Sequence, residues 1–186
     1  MRILLAALAG AIAMFVWTSV AHLATPLAYT GISPMKNERV VLDAMKQGVG
    51  EKPGLYYFPW MDPKDPKMMD KMRQRMKTDP DGILVYHPAG SISTDMGPLM
   101  IKEFVKEFAQ ALIAAFLLSL TVLTGYLARA GFVVMIGLFA ALGQDTSYWI
   151  WYGFPLDYTL AQIVMALGQA VFAGLVIAAI LRPKPA

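Results

Sequence analysis

The sequence predicts a mainly α protein: a four-helix transmembrane bundle with a small α+β extracytoplasmic insertion between helices 1 and 2. Three observations predict it. Of 186 residues, 57% are hydrophobic and 16% charged, against about half and about a quarter in soluble domains. Four apolar stretches reach or approach the roughly 20 residues that cross a hydrocarbon layer of about 30 Å. Most of the charge falls between the first and second of them. The organisation is therefore residues 1–26 for the first helix and 27–106 for the insertion. Residues 107–186 form the other three helices, at about 108–128, 131–151 and 159–181.

The first stretch, 3–24, holds one histidine and no charge. Arg2 and the small-x-small pattern Ser19-Val20-Ala21 also fit a cleaved signal peptide. The apolar run continues past Ala21, and Trp17, Ala6 and Gly10 suit helix packing, which favours a retained anchor. The second and fourth stretches are long enough outright. The third begins at Gly131, turns polar at Gln144 and Asp145, and ends in the aromatic run Tyr148-Trp149-Ile150-Trp151-Tyr152. A turn is expected at Ala128-Arg129-Ala130. Small residues recur every four positions at Ala166, Ala170, Gly174 and Ala178, and at Ala111, Ala115 and Ser119, a spacing that lets helices approach closely in lipid.

Basic residues near the span ends set orientation. Arg2, Arg129, Arg182 and Lys184 fall on one side if every stretch spans, which makes that side cytoplasmic. Both termini are then cytoplasmic and residues 27–106 extracytoplasmic, in a bacterial inner membrane. The segment 143–158 has no basic residue, which agrees.

Within 27–106, Asn37 is placed to cap a helix over 38–47, stopped by Gly48. Residues 55–58 and 83–87 suit short strands that pair with each other. Asp65-Pro66 opens a helix running to about 77. A further helix begins near Pro98 and continues unbroken into the second span. Its expected apolar stripe is Ile101, Phe104, Val105 and Phe108, with Lys102, Glu103, Lys106 and Glu107 on the opposite face.

Candidate sites are few. Met68, Met72 and Met76, spaced by four on one helix face, could ligate Cu(I), with His87 as a further ligand; the competing role is apolar filling by a flexible side chain. Asp145 and Gln144, with Gln162 and Gln169 seven apart on the fourth span, could line a polar path, because ionisable groups at membrane depth tend to be functional. Against that, Asp145 and Asp157 could simply cap helices in the headgroup zone. Trp149, Trp151 and Tyr152 read as an interfacial aromatic belt.

Exclusions are firmer. The absence of cysteine removes disulfides and thiolate metal sites. A net charge of +3 gives no nucleic-acid footprint. No phosphate loop, dinucleotide glycine pattern or catalytic constellation occurs, so no cofactor is expected and catalysis is not favoured. The partners expected are the lipid bilayer and either a membrane-protein companion or further copies of this chain.

Phe15-Val16-Trp17-Thr18-Ser19, Asn37-Glu38, Gly54-Leu55-Tyr56-Tyr57-Phe58-Pro59 and Trp149-Ile150-Trp151-Tyr152-Gly153-Phe154 together resemble a family of small bacterial four-span inner-membrane proteins without an assigned activity. The resemblance implies the span count and the outer loop, and no catalytic residue. The function expected is that of a non-enzymatic accessory, assembly or ligand-presenting subunit. A small oligomeric transporter using the intramembrane Gln and Asp residues, and a periplasmic copper-handling protein, are the alternatives.

Overall fold

The computed structural model describes residues 1–181, and these are mainly helical, with six α-helices and one two-stranded sheet. Arg182 and Lys184, used above for orientation, lie outside the described residues. The described residues divide into two compact units: Ser33–Thr94, and a helical unit made of Met1–Ile32 with residues 95–181. The Ser33–Thr94 unit is narrower than 27–106, because the charged residues 102–107 sit on a long helix of the helical unit.

Three helices are long and apolar enough to cross a membrane: α1 (Arg2–Ala24), α5 (Tyr126–Tyr152) and α6 (Leu156–Ile180), of 23, 27 and 25 residues. Three such helices mark the chain as membrane-associated. Numbering in chain order, α4 (Met96–Leu120) also has 25 residues, but its first half carries four charges. Each end has a local cause. Thr25 turns extended ahead of Pro26 and accepts from the Leu27 N–H at 3.2 Å, ending α1. The Asp95 side chain accepts from the Gly97 N–H at 2.9 Å and opens α4. Gly153, at φ 67°, takes the left-handed conformation that ends α5, and the Phe154 N–H closes on the Tyr148 carbonyl.

Two boundaries differ from the sequence reading. α4 stops at Leu120, residues 121–125 form the break, and α5 starts at Tyr126. Ala128-Arg129-Ala130, expected as a turn, therefore lies inside α5, and Arg129 is buried. The reason is that hydropathy does not register where a helix breaks within an apolar run. Gly125 as N-cap, after two threonines, does. The stripe on α4 also differs. Ile101 and Val105 are exposed, whereas Glu107 is fully buried with Ala111, Ala114, Ala115 and Leu118.

In the helical unit α1 packs against both α4 and α6, and α5 packs against α6, whereas α4 and α5 touch little. Small residues set these approaches. A Cβ on Gly174 of α6 would lie 2.7 Å from the Ala130 carbonyl oxygen of α5. A Cβ on Gly168 would strike the Trp17 indole. That indole donates to the Met165 carbonyl at 2.9 Å and stacks obliquely on Phe172. Ala170, Gly174 and Ala178 of the expected ridge are buried.

The Ser33–Thr94 unit holds α2 (Glu38–Gly48), β1 (Gly54–Phe58), α3 (Met68–Arg75) and β2 (Gly82–Tyr86). The strands pair antiparallel, Gly54 opposite Tyr86 and Phe58 opposite Gly82. Tyr86 is buried, donates to the Gly50 carbonyl at 3.0 Å and meets Tyr56 edge-on. Asn37 precedes α2 without a side-chain cap bond. α3 is shorter than 66–77: Asp65 receives the Lys67 N–H at 2.8 Å and the Lys71 ammonium at 2.5 Å, which makes residues 65–67 a turn ahead of the helix.

Candidate ligand cavity in the helical unit

Where α4 and α5 leave a gap, α1 and α6 floor a cavity of about 550 Å³. Helical spacing places its lining. Met14, Thr18 and His22 repeat every four residues along α1. Gln162 and Gln169 are two turns apart on α6, with Ala166 between them. Gly137, Ala141 and Gln144 share a face of α5, with Asp145 next to it. The apolar wall includes Ala111, Ala114, Val133, Ile136 and Met165.

Polar groups gather toward one end. Glu103 and Lys106 of α4 face the cavity and pair with each other at 2.5 Å. Asp145 lines it with no ion pair among the described residues. His22 bonds through Nδ1 to the Thr18 carbonyl at 2.9 Å. The lining therefore holds one carboxylate that no lysine or arginine offsets.

Behind the lining lies a three-residue polar cluster joining α1, α4 and α6. The Thr18 hydroxyl donates to Glu107 Oε1 at 2.7 Å. The Gln169 amide donates to Thr18 Oγ1 at 2.7 Å and to Glu107 Oε1 at 3.2 Å. Thr18 and Gln169 also line the cavity, so they stand between it and the fully buried Glu107. Glu107 Oε2 has no hydrogen-bond partner among the described residues. Nε and Nη1 of the buried Arg129, in the first turn of α5, have none either.

All four residues read as a polar path, Gln144, Asp145, Gln162 and Gln169, line this cavity, and Gln110 joins them. Asp145 is not a helix cap: it lies within α5, seven residues before the helix ends. Asp157 is in the first turn of α6, where its carboxylate accepts from the Tyr158 N–H at 2.9 Å. Trp149, Trp151 and Tyr152 are exposed on the last turn of α5. The methionines lie elsewhere. Met68 and Met72 are half-buried on α3, Met76 follows its end, and His87 is exposed just after β2, all within Ser33–Thr94. Among the described residues, no three of His, Asp and Glu gather to hold a metal ion.

Sequence reasoning missed Glu107, because Lys102, Glu103, Lys106 and Glu107 look like a solvated face. The signal was present: Glu107 lies four before Ala111 and eleven before Leu118, on the face that small residues mark as interior. No protein-family model, no curated protein and no solved structure matches this chain.

Proposed function

We propose that the chain is a non-enzymatic integral protein of a bacterial cytoplasmic membrane that binds a small amphipathic organic cation in this cavity, as a carrier or ligand-presenting subunit. The convergence of Gln144, Asp145, Gln162 and Gln169, from two helices, on one apolar-walled cavity carries this reading. The unpaired carboxylate of Asp145 favours a cation, the glutamines favour a hydrogen-bonding head, and the small-residue walls favour an apolar body. In this reading α4 is a fourth span, its charged first half at the outer interface and residues 108–120 within the bilayer. Arg2 and Arg129, at the starts of α1 and α5, then mark the cytoplasmic side. The segment from α1 to α4 is extracytoplasmic, as the family resemblance also implies.

Tetraphenylphosphonium binding to the purified chain in mild detergent tests the proposal. Asp145→Asn should weaken binding about tenfold, or about 1.4 kcal/mol, and Ala140→Phe, which fills the cavity, should abolish it. Equal binding by wild type and Ala140→Phe sinks the idea. Flux into vesicles then separates carrier from presenting subunit. The accessory reading has a support of its own: Val40, Leu55, Trp60 and Val85 of the Ser33–Thr94 unit are largely exposed, as a docking surface needs. Native co-purification followed by mass spectrometry checks it.

A further inference from the structure

We infer that Glu107 is a proton-binding site, linked to the cavity through Thr18 and Gln169. The inference does not depend on what fills the cavity. Glu107 is fully buried at the meeting of three helices. A carboxylate there without a counter-charge is costly, and such groups neutralise by taking a proton. Among the described residues no charged or titratable neighbour forms an ion pair with it. On α4, Lys106 is held by Glu103 at 2.5 Å. On α1, His22 is bonded to the Thr18 carbonyl. Across the cavity α5 offers Asp145, another acid, and its one basic residue, the buried Arg129, lies sixteen positions before it in the first turn and makes no ion pair among the described residues. On α6, the titratable groups among the described residues are Asp157 and Tyr158, in its first turn and away from Gln169.

The hydrogen bonds are divided as a neutral acid divides them. Oε1 receives both donors, from Thr18 and Gln169, as a carbonyl oxygen does. Oε2 receives none, so it is the oxygen on which a proton displaces no existing hydrogen bond. Loss of that proton to solvent water would place a full charge on the carboxylate and tighten the pull on the Thr18 hydroxyl. That hydroxyl also lies 3.0 Å from the Met14 carbonyl. Its single proton can serve only one acceptor at a time, so the state of Glu107 is felt at the cavity wall.

Infrared difference spectroscopy on the ligand-free protein in detergent reads this directly. Wild type should show a carboxylic-acid C=O band at neutral pH that Glu107→Gln removes and that survives Glu103→Gln and Asp145→Asn. Thr18→Val should shift the band and Thr18→Ser should not, which decides the matter even if Glu107→Gln fails to fold. A neutral-pH spectrum without the band, a band unmoved by both Glu107→Gln and Thr18→Val, or a band lost only when sodium replaces choline would overturn the inference, the last in favour of a metal cation. Tetraphenylphosphonium is absent from this experiment, so its failure and that of the binding proposal are separable.

Discussion

In the helical unit alanine and glycine fill the interfaces, and the largest fully buried side chains are Ile177 and Glu107. In Ser33–Thr94 only Pro59 and Tyr86 are buried, and the ion pairs are exposed, such as Arg39 with Asp43 at 3.1 Å and Arg75 with Asp79 at 2.7 Å. The contrast teaches where each unit is vulnerable. Close backbone approach through small residues resists the loss of a single bond and does not tolerate added volume. A two-stranded sheet is marginal in water and depends on what leans on it, and exposed pairs add little. One unit should therefore fail by overfilling, the other by losing one ring.

The largest expected effect breaks the second unit. Tyr86→Ala removes the buried ring, its contact with Tyr56 and the bond to Gly50, at a cost of about 3 kcal/mol. Limited proteolysis should cut within 33–94 while the helical unit keeps its melting transition. Cleavage unchanged from wild type would show that the unit has another anchor.

A smaller effect sharpens the other side. Gly174→Ala gains about 1 kcal/mol of helix propensity but pushes a methyl against the Ala130 backbone carbonyl. Overpacking costs of up to about 3 kcal/mol win, so the variant should be destabilised by about 2 kcal/mol. Gly143→Ala, whose new methyl meets nothing within 4 Å, should instead stabilise by up to about 1 kcal/mol. Unfolding titrations in detergent give both signs. Equal shifts would remove small-residue packing as the organising force.

The smallest effect is electrostatic and confined to α3 and its flanks. The Lys71 ammonium, with the Lys67 N–H, holds the Asp65 carboxyl below the usual carboxylate range. The Arg75 guanidinium, with Thr78, does the same for Asp79. A carboxyl depressed on folding stabilises the fold above its unfolded value, 3.8, and loses that contribution as pH falls through its lower folded value. Amide exchange in α3 should therefore quicken on acidification below pH 3.8, and Asp79→Asn should flatten the response.

Much of the architecture was legible because its causes are local. Apolar length marked α1 and α6, glycine and proline bounded the strands, and the four-residue recurrence of Ala170, Gly174 and Ala178 marked a face that is indeed buried. The polar lining was legible too, since a glutamine or aspartate in an apolar helix stands out by composition alone. The α4–α5 break escaped, because Val122 and Leu123 keep hydropathy high while the backbone leaves the helix.

What the chain order alone determined, then, is which stretches coil and which turn, since those depend on neighbours within a few positions. Spacing to Ala111 marks the helix face of Glu107, but only tertiary packing closed other helices over it and left Lys106 exposed. The two are adjacent in sequence and differ by about 100° around one helix. The partners that hide Glu107, Thr18 and Gln169, lie 89 and 62 residues away. A charged side chain does not carry its own desolvation in its identity; the helices that close over it impose that.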